Sequence, residues 1–485
     1  PDVIRVEDTY YMVSTTMHFM PGCEILQSFD LVHWEHATYV YETLDHTDAQ
    51  QLKSGQNIYG QGMWAASLRY HEGRFYICFV ANDTRKTYLY TSEKIDGPWK
   101  KQLIEGFYHD GSLLFDEDGR NYIVYGNDEI WITELNEDLT APKKDGLHRL
   151  LVSDHKNPEL GYEGSHIQKI NGYYYIFLIH SLRDRWMRTE ACFYSDSLEG
   201  EFTGGDVLCD DRGYCGQGVA QGGIVDTPDG KWYAMLFQDS GAVGRIPILV
   251  PVTWKDHFPF FGQNGHVPEE IEVHSTRPGY IYQPLVGSDD FCNGLLPCWQ
   301  FNHDPDPRYY HLDALQGTYT ITTREVCTEL TQAVNTLTQR MSYPSCAAEV
   351  TVDASALKEG DVAGLCALQS CYAAVGITKH HGKYEVLMLD KKEDGILDMT
   401  ERTVVESHQM DFRLEADFCN MKDEARCYYR VNKGDWLPIG TVHKLYFKLD
   451  HFTGCRFGLF CYAAEETGGS ACFRDFKYYD VDEIS

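Results

Sequence analysis

The apolar positions in the first 260 or so residues fall in short runs, not on helical faces. Tyr10–Thr15, Phe75–Ala81, Tyr122–Tyr125, Tyr174–Ile179 and Tyr233–Phe237 are aromatic and β-branched stretches opened by Gly or Asp turns, which predicts strands. Each run starts at a recurring cassette: Asp8-Thr9-Tyr10-Tyr11, Gly73-Arg74-Phe75-Tyr76, Gly119-Arg120-Asn121-Tyr122, Gly172-Tyr173-Tyr174-Tyr175 and Gly230-Lys231-Trp232-Tyr233. The final Tyr residues lie 65, 46, 53 and 58 positions apart. Each interval holds about four strands, so the five copies predict an all-β, five-bladed β-propeller over residues 1–270.

Twelve residues before the final Tyr of copies two to five stand Trp64, Asp110, Glu163 and Gln221. A solenoid is the rival architecture, but a closed ring better explains polar groups at one equivalent position. The segment running into each cassette reads as a hairpin, which puts these four residues at the channel end of an inner strand. Strict alternation would then aim Asp110 with Ser112, and Glu163 with Ser165.

The cassette stops in the Gly/Pro/Glu-rich stretch around Gly262–Glu270, and 271–285 reads as a linker. Residues 286–485 return to alternation in Gly317–Thr322, Cys346–Val352, Ala363–Gln369, Tyr384–Leu389, Lys444–Leu449 and Cys455–Tyr462. This pattern predicts an antiparallel β-sandwich.

Composition narrows the partners. A net charge of −31 repels phosphate backbones and anionic lipid, so nucleic acid and membrane surfaces are excluded and a neutral ligand is favoured. The 33 Tyr suit a sugar as well as they suit strands. The apolar runs, such as Ile246–Val252, are too short to cross a bilayer. None of the 16 Cys forms a CxxC pair or a metal spacing. Several lie inside strand-like runs, which points to buried reduced thiols and a cytoplasmic setting. The chain starts at Pro1 inside a motif, so an upstream secretory leader stays open. Nothing in the sequence indicates an oligomeric state.

Asp110 and Glu163 are each followed by Gly and then by an apolar strand. A lone acid at such a point is usually a turn cap, but two at one repeat position, aimed at one axis, speak for a site. Converging carboxylates repel, which keeps one protonated beside an ionised partner. Glycosidic bond cleavage needs such a pair.

The motifs Pro1-Asp2-Val3-Ile4-Arg5, Gly62-Met63-Trp64-Ala65, Asp110-Gly111-Ser112-Leu113, Glu163-Gly164-Ser165-His166 and Gly244-Arg245 resemble glycoside hydrolase family 43. The second half, from Asp289-Asp290-Phe291 to Gly360–Leu365, resembles the concanavalin-like sandwich that follows the propeller in its β-xylosidase-type members. The resemblance implies an inverting exo-enzyme acting on neutral pentose oligosaccharides, with terminal β-D-xylose as the first choice. An α-L-arabinofuranosidase, an endo-arabinanase and a non-catalytic carbohydrate-binding propeller are the alternatives. It makes Glu163 the general acid, Asp110 the residue that tunes it, Arg245 a contact to sugar hydroxyls and Trp64 a pocket wall. Met17 and His18 match a loop that touches the terminal sugar, with ordinary loop packing the equal alternative. The general base of that family is an Asp directly before the Pro of an Asp-Pro-x-x-x-Arg pattern, which falls one residue ahead of Pro1. Asp2 is then not the base but is expected on the same inner face, and like Gln221 it is a candidate substrate contact. Many members carry His on the channel axis, often as a calcium ligand, and Gln221 replaces it here. Inverting hydrolysis needs no metal, so no cofactor is required and any channel calcium would be structural. A loop of the second domain is expected to help close the pocket.

Overall fold

The computed structural model describes residues 1–480. The only helices among them are short 3₁₀ turns; everything else is strand and loop. Five four-stranded antiparallel sheets follow in chain order. Blade I comprises Asp2–Val6, Thr9–Val13, Gly22–Ser28 and Glu35–Tyr41. Blade II runs Met63–His71, Arg74–Ala81, Lys86–Ser92 and Lys100–Ile104, and blade III runs Ser112–Phe115, Asn121–Asn127, Glu129–Leu135 and His148–Ser153. Blade IV is Glu163–Ile170, Tyr173–Ser181, Arg188–Ser195 and Thr203–Leu208, and blade V is Ile224–Asp226, Trp232–Asp239, Arg245–Lys255 and Phe258–Phe261. Each Tyr cassette opens the second strand of its blade, where aromatic side chains meet the neighbouring sheet. Tyr10, Tyr122 and Tyr175 are fully buried in this way, each removing a large apolar surface from water.

No strand exchange closes the ring, because each blade is built from one contiguous segment. Blade I instead reaches blade V through Arg5, whose Nε donates to the Asp226 carbonyl at 3.1 Å and whose guanidinium pairs with the Asp226 carboxylate. On the channel axis Asp2 does the equivalent work. Its Oδ2 accepts from the Leu68 N–H and from Arg69, both at 2.7 Å, and its Oδ1 lies 3.1 Å from His166 Nδ1. Arg69 also donates to the carbonyls of Leu113 and Ile167 and to Ser112 Oγ. One buried ion pair therefore ties together blades I to IV.

The second domain is a sandwich of an eight-stranded and a seven-stranded antiparallel sheet. Its core is apolar, with Phe412, Phe457, Leu459 and Phe473 fully buried. The two domains share a sheet. Phe19–Met20, from the propeller, forms the edge of the eight-stranded sheet and pairs with Gln300–Asn302. Blade strands end at Phe261 and the first sandwich strand begins at Gln300.

Two strand expectations are corrected by the fold. Lys444–Leu449 is not a strand, since the ladder ends at Lys444 and the chain then turns away. Tyr446 leaves the sheet because its backbone is taken by a side chain: its N–H donates to Gln369 Oε1 at 3.1 Å and its carbonyl accepts from Gln369 Nε2 at 2.7 Å. Strict alternation also fails at the channel end of the inner strands. Asp110 has left-handed backbone (φ 47°), which Asp tolerates better than most residues. A bulge between Glu163 and His166 shifts the register of blade IV, so His166 and not Ser165 accompanies Glu163 into the channel mouth.

Candidate active site

Trp64, Asp110, Glu163 and Gln221, the four residues at the repeat position, line one cavity of about 400 Å³ together with Pro1, His109, Asn127, His166, Trp186, Arg188 and Arg245. They meet because each stands at, or two or three residues before, the start of the inner strand of its blade, on the same side of the ring. The sandwich supplies Arg340, Leu449, Phe452 and Thr453 to the same cavity. The segment that fails to pair as a strand thus leads into the loop, Leu449 to Thr453, that covers the pocket. Phe452 is buried, with its ring edge-on to Trp64 at 5.5 Å and the Arg245 guanidinium 4.2 Å from its centroid.

Asp110 is buried, and its Oδ2 accepts from the Gly164 N–H at 3.1 Å. Burial pushes its carboxyl above the ordinary range; His109 opposes that push and Glu163 adds to it. The space beside Glu163 that Gly164 leaves open is filled from blade V. A Cβ at Gly164 would sit 2.6 Å from the Gln221 side chain. Glu163 is less enclosed, and its Oε2 accepts from Asn127 Nδ2 at 2.9 Å. Between the two acids stands His109, with Nε2 3.6 Å from Asp110 Oδ2 and 3.8 Å from Glu163 Oε2.

The cationic wall is built on Asp239. This buried carboxylate pairs with Arg188 and, at 3.2 Å, with Arg245 Nε. Arg245 lies between Phe237 and Phe452, its guanidinium carbon 4.4 and 4.2 Å from their centroids. Burial lowers its pKa to about 10 and that of Arg188 to about 9, and both remain cations at neutral pH.

Three residues expected to touch the sugar do not line the cavity. Asp2 is fully buried as the inter-blade clamp. Burial alone would raise its carboxyl, but Arg69 and His166 hold it well below the usual range. Met17 and His18 are also fully buried. Met17 bridges to Met63 of blade II. His18 packs on His303, Tyr59 and His451 at 4.7, 4.8 and 5.5 Å in the seam between the domains. In this structure both residues pack between neighbouring elements.

Sequence reasoning missed His109, Asn127, Asp239 and Glu190. His109 stood next to Asp110 in a motif already quoted, whereas Asn127 and Asp239 end second strands, where no repeat signal marks a function. Glu190 is fully buried, accepts the Gln221 N–H at 2.7 Å, and has an Oε1 with no hydrogen-bond partner. Burial raises its carboxyl well above the ordinary range. Calcium asks for six to eight oxygens, several of them ionised. One amide oxygen from Gln221 and one carboxyl from Glu190 are fewer protein oxygens than that, so no step is routed through an ion. Among the described residues the donors of His109, Asp110 and Glu163 also lie close, within 4.8 Å of one another. His109 stands between the two carboxyls. Burial works against its protonation, but Asp110 and Glu163 outweigh that and push its pKa up to about 9.

Residues 1–259 match the family model of glycosyl hydrolases family 43, and residues 288–479 that of the beta xylosidase C-terminal concanavalin A-like domain. The chain is 26% identical to a beta-xylosidase of Formosa agariphila, across 99% of this chain and 87% of that one. It is 24% identical to the non-reducing end alpha-L-arabinofuranosidase BoGH43B of Bacteroides ovatus, across 82% and 78%. Among solved structures it resembles a bifunctional GH43-CE protein of Bacteroides eggerthii, with a TM-score of 0.91 and 42% identity. That match covers 99% of this chain, which spans 62% of the length of the bifunctional protein.

Proposed function

The chain belongs to glycosyl hydrolases family 43, and from that premise we propose that it is an inverting exo-glycosidase. It removes terminal pentose units, β-D-xylose first, from neutral xylan-derived oligosaccharides. One observation carries the reading: two carboxyls open into a single cavity that a loop of the second domain covers. A covered pocket of about 400 Å³ suits one sugar ring and its linkage, while an open groove would suit internal cleavage.

In this reading Glu163 protonates the glycosidic oxygen as the C1–O bond breaks, and a water attacks C1 from the opposite face. Asp110 raises the proton affinity of its surroundings and holds the sugar, Arg245 binds hydroxyls and Trp64 forms a wall. The base in this mechanism is a second carboxylate, on the face of the sugar opposite Glu163. Pro1 lines the cavity with Asp110 and Glu163. Inversion needs roughly 6.5–9.5 Å between base and acid, to admit the water. Gln221 acts as a wall contact beside Gly164, and no cofactor takes part. The sixteen unpaired cysteines support a reducing, cytoplasmic setting.

The relative named as an arabinofuranosidase keeps that activity as the second reading. Initial rates on aryl β-D-xyloside and aryl α-L-arabinofuranoside separate the two. Proton NMR of the first product formed reads the anomer, and an inverted anomer is expected. Mixed oligosaccharides released from linear arabinan would replace the exo reading by an endo one. Xylo-oligosaccharide binding without hydrolysis would leave only a binding propeller.

A further inference from the structure

His109 has no part in the reaction as described, yet it stands closer to both acids than any arginine of the pocket wall does to either. Its ring enters from the loop before the inner strand of blade III, and the loop is fixed there because the Gly126 N–H donates to the His109 carbonyl at 3.0 Å. Trp64 borders the ring at 6.2 Å. About a fifth of the side chain stays open to the cavity. The other charges around it are accounted for. Arg188 and Arg245 share Asp239, and Arg85, from the turn of blade II, packs on Phe107 at 3.8 Å. Asp110 and Glu163 are therefore the carboxylates that face the imidazole, and at neutral pH it is the cation that faces them.

We infer that His109 is a positioning residue that acts through Glu163, an imidazolium that stabilises the Glu163 carboxylate as it forms. The step balances without any proton gained or lost by His109. The Glu163 proton goes to the leaving oxygen, the C1–O pair goes with that oxygen, and the negative charge left on Glu163 lies 3.8 Å from His109 Nε2. The imidazolium thereby lets a weakly basic glycosidic oxygen be protonated, and it holds Asp110 and Glu163 together at a distance where they would otherwise repel. Burial of the ring keeps the charge from being screened by salt. The proton on His109 survives to a pH of about 9, so this help is present across the neutral range and fades above it.

The inference rests on the assignment of Glu163 as general acid, and the test separates the two. On a substrate with a poor leaving group, such as xylobiose, the alkaline limb of kcat/KM in H109N is expected to move up by about one pH unit, since one unit charge near 4 Å has been removed. H109K keeps a cation at the site and should hold the limb close to that of the parent. A limb that does not move in H109N, or moves down, overturns the inference. Nitrogen-15 NMR of the unmutated protein should show one histidine, absent from H109N, that titrates near 9 and titrates lower in E163Q. An imidazole already neutral at pH 7 overturns the inference without any pocket variant. If E163Q still cleaves xylobiose, the general-acid assignment fails, and the His109 titration reads the ion triad independently of that failure.

Discussion

Replacing Asp2 by Ala separates a clamp from a sugar ligand. Asp2 holds three groups at once: the Leu68 N–H, Arg69 and His166. The substitution leaves the Arg69 guanidinium, only 13% exposed, without its carboxylate. Breaking a buried ion pair from one side costs about 3–5 kcal/mol, chiefly because the stranded charge stays desolvated. The Leu68 N–H loses its acceptor as well, a loss of about 1–3 kcal/mol when the donor stays buried. Arg69 retains the Leu113 and Ile167 carbonyls, which offsets part of this. About 4 kcal/mol is therefore expected, lost from the propeller. Urea unfolding followed by tryptophan fluorescence at pH 7 reads it directly. The pH dependence gives an independent check. Asp2 is held below its ordinary value of 3.8, so its contribution is complete above that value and is lost as the pH falls toward the folded pKa. The gap between the parent and D2A should be constant from pH 5 to 8 and narrow below about 4. A variant as stable as the parent at pH 7, with KM raised on xyloside, would refute the clamp and restore Asp2 to the substrate.

E163Q should lower kcat on xylobiose by about 10²–10⁴-fold while retaining much more activity on a dinitrophenyl xyloside, whose leaving group needs no proton. Asn127→Ala removes the donor to Glu163 Oε2. About tenfold is expected off kcat/KM with little change in melting temperature, which parallel kinetics and calorimetry will show. Phe452→Ala opens the pocket beside Trp64 and Arg245. KM for xylobiose should rise about tenfold while longer oligosaccharides lose less, as competition between chain lengths will reveal.

The architecture could be read from periodicity because each blade is a local unit. Its four strands are neighbours in sequence, and the Tyr that opens the second strand must fill the same gap between sheets every time. The repeat position was legible for the same reason, since the ring closes on its inner strands and equal places in five local units converge on one axis. Trp64, Asp110, Glu163 and Gln221 therefore reached one cavity without any knowledge of contacts. Asp2 could not be assigned in this way. Its partners lie in blades II and IV, and the difference between a ligand and a clamp is whether Arg69 reaches it first.

The sequence alone thus determined the two β domains, the five blades and the pair of acids, all of which depend on local pattern or on its repetition. Tertiary structure alone decided the rest. Phe19–Met20 becomes an edge strand of the other domain because the open edge at Gln300–Asn302 lies against it, and that pairing draws His18 into the seam. The stretch after Lys444 alternates like a strand, yet Gln369 takes the backbone bonds of Tyr446 and the chain turns away toward the pocket. His109 looks like any residue beside an acid until blade IV brings Glu163 to its other side. Charge acts through distance, and distances between blades exist only once the ring has closed.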